Sequence, residues 1–185
     1  MRNLIFLFFL IFMLSNSSGQ TSEDSFLVTD ISVGIFKKGM TVSDLLELVE
    51  NDQIKKVVDH DGYENTYDDY QYYDSDQNHL LTLTPENQND KNSKINRVLI
   101  IDKRYKTDQK VGLSSTYIDL KDCYLITNYE PDLEHIVLRV KELNAWFSIN
   151  KSQLLENWWD DSRKRIDKSK IPDKATFDSF VIWWN

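Results

Sequence analysis

The sequence predicts an α+β protein made of two tandem helix-plus-antiparallel-sheet units. Three observations carry that expectation: a weak internal repeat, two short amphipathic helices that each open on a Thr cap, and alternating strand-like segments behind each helix. The chain has 185 residues, a length that suits one ordinary domain or two small ones and makes a multidomain enzyme an unsuitable reading. Only 5 Gly and 3 Pro are present, which excludes collagen-like and Gly/Pro-rich classes, and 41% hydrophobic with 12% aromatic content excludes a disordered chain.

The first element is a candidate export signal. Arg2 precedes an apolar run from Leu4 to Leu14, and the small polar stretch Ser15 to Gly19 follows. The run falls short of the roughly 20 apolar residues that span a bilayer and has the order of a secretory signal, so cleavage is expected after Gly19. The other reading is an uncleaved anchor. Cleavage there leaves a first α+β unit at residues 20–104 and a second at 105–185.

Removing residues 1–19 takes away Arg2 and no acid, so 21 cations then face 30 anions, a net of −9. A chain so acidic is repelled by phosphate backbones and anionic head groups. The expected partner is therefore a protein, basic in character, with no nucleic acid and no stable membrane insertion after cleavage. The expected location is secreted or periplasmic. With the lone Cys123, no internal disulfide is available even in an oxidising compartment.

The repeat sets Ser32 to Leu45 against Thr107 to Leu120. Thr41 aligns with Thr116, Asp44 with Asp119 and Leu45 with Leu120. A Thr N-cap accepts from the backbone N–H three residues on, and an acid at that position bonds back to the cap and favours the positive end of the helix. Gly39, Thr41, Asp44, Thr116 and Asp119 are thus the expected structural caps. Val42, Leu45, Leu46 and Val49 repeat at helical spacing, as do Tyr117, Leu120, Cys123 and Tyr124, which puts Cys123 on a buried face.

Strands are expected at 67–73, 79–84 and 95–102 behind the first helix, and at 134–141, 145–150 and 177–184 behind the second. A short helix is expected at 152–159, where Leu154, Leu155, Trp158 and Trp159 fall at helical spacing. The basic run Arg163 to Arg165 with Lys168, Lys170 and Lys174 reads as a solvated loop or a dock for an acidic partner. Gly34, Gly39 and Gly112 cluster at the two helix entrances, leaving other turns to Asn and Asp.

The strand ending in Gly-Met-Thr, the capped helix with Asp in its first turn, and the meander that follows, given twice, resemble exported bacterial proteins built like the β-lactamase inhibitory protein. The unit is also similar to small lipoproteins of outer-membrane assembly. The segment Asn96 to Asp102, through Tyr105-Lys-Thr107, to Val111-Gly-Leu-Ser-Ser-Thr116 looks like uncharacterised secreted bacterial proteins. The resemblance covers roughly residues 28–150. This chain lacks the disulfides of the first family and the lipidated Cys of the second, so neither family's partner is carried over.

Catalytic templates fail: no phosphate-cradling Gly loop, no Gly-x-Ser-x-Gly, and no metal spacing among His60, His79 and His135. No catalytic residue, metal ligand or cofactor is therefore assigned. The strongest feature is the stretch from Asp59 to Asp76, in which five of the nine Tyr lie between positions 63 and 73 among acids. Tyr67, Asp68, Asp69, Tyr70, Tyr72 and Tyr73 are candidate binding residues, since Tyr brings a large rigid surface at low entropic cost. The alternative is a sheet strand with its rings on the core rim and its acids in water. Trp158 and Trp159 form a second candidate surface, with core packing as the alternative. Of Trp183 and Trp184, adjacent in a strand, one member belongs to the core.

The function expected is a secreted or periplasmic interaction module, inhibitor-, immunity- or assembly-factor-like. The competing class is a small secreted metal-dependent or hydrolytic enzyme using Asp59, His60 and Asp61. A sequon stands at Asn150-Lys-Ser152.

Overall fold

The computed structural model describes residues 24–60 and 66–184. The expected signal segment 1–19 and residues 61–65 of the acidic stretch, Asp61 and Tyr63 among them, lie outside the described residues. So do the side chains of Asp59, His60, Thr66 and Tyr67.

A short sheet forms first, from β1 (Leu27–Val28), β2 (Ser32–Val33) and β3 (Phe36–Lys37). The helix α1 (Val42–Leu48) follows, then β4 (Ile54–His60), β5 (Thr66–Tyr73), β6 (His79–Pro85) and β7 (Ile95–Ile100). The second half runs β8 (Lys106–Thr107), α2 (Tyr117–Cys123), β9 (Ile126–Pro131), β10 (His135–Val140) and β11 (Ala145–Asn150). A hairpin of β12 (Trp159–Asp160) and β13 (Arg165–Ile166) precedes the last strand, β14 (Ser179–Trp183).

The main sheet has eight antiparallel strands in the order β4-β5-β6-β7-β14-β11-β10-β9. Each half of the chain supplies four of them, and the halves join where β7 pairs β14, with Arg97 opposite Trp183 and Leu99 opposite Val181. The short sheet also mixes the halves, because β1 runs parallel to β8. The expectation of two tandem helix-plus-sheet units is therefore overturned. The described residues are mostly β, the two α-helices among them are seven residues each, and large antiparallel sheets dominate. The units failed as a description because a four-stranded half would end in an open edge at β7 or β14, and pairing those edges satisfies both rows of backbone groups.

Burial alternates strictly along β10, β11 and β14. One face, with Leu81, Leu83, Val98, Ile100, Ile136, Leu138, Phe147, Phe180 and Ile182, is fully packed. The helices place Val42, Leu45, Tyr117 and Leu120 in the same core, together with Val28, Val33 and Phe36 of the short sheet. The other face is partly exposed through Leu99, Val137, Trp146, Val181 and Trp183. This is the two-layer solution for a sheet with one buried side.

The caps form as the spacing requires. Asp44 Oδ2 accepts the Thr41 backbone N–H at 2.8 Å, and Thr41 Oγ1 accepts the Asp44 N–H at 3.2 Å. Asp119 Oδ2 accepts both the backbone N–H and the hydroxyl of Thr116 at 2.8 Å. Gly39 precedes the first cap with φ of +89°.

Four local expectations are corrected. The expected helix at 152–159 is a 3-10 turn at Lys151–Gln153 followed by extended chain into β12, with Trp158 and Trp159 packed on the core margin. The strands β4 and β9 were not expected. Cys123 is exposed rather than buried, because α2 ends at that residue and its last turn faces water. The acids Asp68 and Asp69 do not face water, for the reason developed next.

Candidate functional site

The acidic Tyr-rich stretch is β5, second strand from the edge, and its side chains divide between the two faces. Asp68, Tyr70 and Tyr72 point to the packed side; Asp69, Gln71 and Tyr73 point to the open one. Asp68 is 2% exposed and lies beside the Lys56 ammonium of β4 at 2.8 Å. Its carboxylate also accepts the Asn89 backbone N–H at 2.6 Å. Burial pushes the Asp68 carboxyl up, but the hydrogen bonds from Lys56 and Asn89 and the lysine's charge outweigh it and leave it below the usual carboxylate range. Tyr70 is in the core, and Tyr72 meets the Phe36 ring edge-on at 5.0 Å. Tyr73 stacks on His79 with centroids 5.0 Å apart, and its hydroxyl donates to Gln71.

Asp69 begins a row of side chains that crosses the open face. It accepts from the Thr84 hydroxyl at 2.5 Å and from Arg97 Nη2 at 3.3 Å, while Arg97 Nε donates to Thr84 at 3.1 Å. Arg97 stands opposite Trp183 across β7 and β14. The Trp183 ring lies 4.9 Å from that of Trp146 on β11. The Arg139 guanidinium of β10 sits 4.2 Å over the Trp146 ring, and its Nε and Nη2 donate to Glu130 of β9 at 3.1 and 2.5 Å. Seven adjacent strands thus give one side chain each: Asp69, Thr84, Arg97, Trp183, Trp146, Arg139 and Glu130. Two tryptophans occupy the middle, an arginine flanks each side, and a carboxylate closes each end. A hollow of about 280 Å³ opens beside Trp146 and Trp183, bordered by Arg139, Lys141 and Asn144.

Arginine stacked on Trp gains from the ring quadrupole while its N–H groups stay free to bond at the edges. Trp and Arg are also the side chains that dominate binding energy at protein interfaces. The signal for this row was in the sequence. Ala145, Phe147 and Ile149 define the core side of their strand, so Trp146 had to fall on the solvent side, where a bare Trp is unusual. The Trp183-Trp184 pair divides as adjacent strand residues must, with Trp184 5% exposed and Trp183 on the open face.

The other candidates are more peripheral. Trp158 and Trp159 are half-buried and meet edge to face at 6.1 Å; the Trp159 indole donates to Asp161, and Lys151 lies 5.2 Å over Trp158. His135 pairs with Asp178 at 3.2 Å, and the His79 ring bonds the Leu81 carbonyl. Asp59 and His60 lie in β4 by backbone, with Asp61 outside the described residues. Among the described residues no group of three His, Cys, Asp or Glu side chains is gathered for a metal, and no helix is long and apolar enough to cross a membrane.

No family model matches the sequence, and no curated protein matches it. Among solved structures the fold is similar to that of the uncharacterized protein yfeY from Escherichia coli, with a TM-score of 0.57 at 9% identity, over 84% of this chain and 98% of that one. At that identity the likeness describes the architecture.

Proposed function

We propose that this chain is an exported, secreted or periplasmic protein-binding module, acting as an inhibitor, immunity protein or assembly factor without catalysis of its own. The row on the open sheet face is its docking surface. The observation that carries the reading is Trp146 against Trp183, half-exposed at the centre of a sheet and flanked by two arginines whose charges are balanced by Glu130 and Asp69. Within the monomer the two rings gain a cation–π contact and a ring contact yet stay partly exposed, whereas an interface gains a desolvated aromatic anchor. The chain's net charge of −8 then selects a basic partner and steers its approach.

The test is retention of a partner from the exported fraction by the wild-type protein and by the W146S/W183S double variant, with melting curves as the folding control. Retention by the wild type and loss of at least thirtyfold in affinity by the variant is the expected result, of the order that loss of a hot spot brings. Equal retention by both removes the row from the interface. Export is tested separately by the N-terminus of the recovered protein, expected near residue 20; a cytosolic protein that keeps Met1 to Gly19 removes that part of the reading.

A further inference from the structure

We propose that a second site, a cleft on the packed side of the sheet between β4, β5, the end of α1 and the β6–β7 loop, binds a small monocarboxylate with a short apolar chain. The cleft holds about 480 Å³, inside the range of roughly 300–1,000 Å³ typical of small-molecule sites. Tyr70 lines it and is only 7% exposed, yet its hydroxyl makes no hydrogen bond among the described residues. Among those residues the fully enclosed side-chain atoms without partners are the indole nitrogens of Trp183 and Trp184, so the Tyr70 oxygen opens onto the cleft. A hydroxyl that opens onto the cleft without a protein partner among the described residues is a donor available to an acceptor that enters it. Burial raises the Tyr70 pKa, which keeps it a donor at neutral pH.

Lys56 stands beside it in register, opposite Tyr70 across β4 and β5. Its ammonium is tethered to Asp68 at 2.8 Å and to the Asn89 side-chain oxygen at 3.1 Å. Two of its three N–H donors are thereby used and one remains. Asn51 and Lys91 add donors at the rim, while the one lining carboxylate, Asp90, accepts the Asn92 backbone N–H at 2.8 Å. Leu46 and Ile54 form the apolar wall. A carboxylate entering the cleft meets the Tyr70 hydroxyl and the remaining Lys56 N–H as donors, with Leu46 and Ile54 alongside for a chain of a few carbons. The cleft lies on the face opposite the Trp146–Trp183 row, so its test is independent of the docking surface.

The probe is sodium hexanoate, titrated into the full chain and followed by amide chemical-shift mapping, with hexanamide and hexylammonium as matched controls. Saturable shifts confined to the cleft are expected, with hexanoate binding at least tenfold tighter than either control. Tyr70→Phe keeps the ring and removes the hydroxyl, and is expected to weaken hexanoate at least tenfold at an unchanged melting temperature. Leu46→Trp fills the apolar wall and is expected to abolish binding; should it fail to fold, the Tyr70→Phe comparison decides alone. Absence of saturable shifts, shifts located elsewhere, equal affinity for Tyr70→Phe, or equal affinity for hexanamide each overturns the proposal.

Discussion

The Lys56 ammonium lies 2.8 Å from the Asp68 carboxylate, and the two differ in exposure, at 39% and 2% of their side chains. The buried member depends on the partly exposed one. Replacing Lys56 with Met leaves a buried carboxylate with only the Asn89 N–H. Removing one partner of a fully buried pair costs roughly 3–5 kcal/mol, so with one member half in water about 2 kcal/mol is expected, read by urea denaturation. The double change Lys56→Met with Asp68→Leu should recover most of the loss, because no uncompensated charge then remains.

The same carboxylate sets an acid limit. Asp68 is held below its ordinary pKa, so its contribution is full above the usual carboxylate range near pH 4 and is lost as pH falls through its lower folded value. Asp44 and Asp119, lowered by hydrogen bonds from the caps, act in the same direction. Stability should be flat from about pH 7 to 5 and should fall below about pH 4. The decline should be shallower in Asp68→Asn, at lower overall stability; an identical slope in that variant would remove Asp68 from the account.

At the helix starts, Thr41→Ala removes an acceptor for the Asp44 N–H and a donor to its carboxylate, while Thr116→Ala removes a donor to Asp119. A loss of about 1 kcal/mol is expected for Thr41→Ala, and somewhat less for Thr116→Ala, measured by thermal melting.

Two glycines should respond unequally to Ala. At Gly112 an added Cβ would run into the Tyr105 carbonyl oxygen, a backbone atom that cannot swing aside. At Gly39 it would enter open space, leaving only the strain of φ at +89°. Gly112→Ala should cost about 2–3 kcal/mol, as overpacking does, and Gly39→Ala about 1 kcal/mol.

The tryptophan row also has a structural readout. Glu130→Gln removes the charge that pairs Arg139, an interaction exposed on both sides, so stability should change by less than about 1 kcal/mol. A much larger loss would make the row a structural brace rather than a surface with freedom to bind.

Local chemistry was sufficient for the helix entrances and for six of the eight strands of the main sheet. The Thr-x-x-Asp spacing sets a cap within one turn, and Ala145, Phe147 and Ile149 alternate whatever their neighbours do, so these features needed no knowledge of distant residues. The strand β4 was hidden because it is an edge strand in which Ile54 and Val57 are only half-buried and Val58 is exposed, so no buried–exposed alternation marks it. The edge strand β9 was hidden because Ile126 is its only buried residue. The acids of β5 were read as solvent-facing because their partners, Lys56, Thr84, Asn89 and Arg97, sit 12 to 28 residues away and only strand pairing brings them in.

By itself, then, the sequence determined the two capped helices, the core parity of the central strands and the division of Trp183 from Trp184. Tertiary structure alone decided that eight strands share one sheet, that Asp68 and Asp69 are internal, that Cys123 faces water, and that Trp146 meets Trp183 between two arginines. The reason is the range of the forces involved. Capping and side-chain alternation act within a few residues, whereas β-pairing and ion pairing are settled by which distant backbone edges and charges come to lie about 3–5 Å apart.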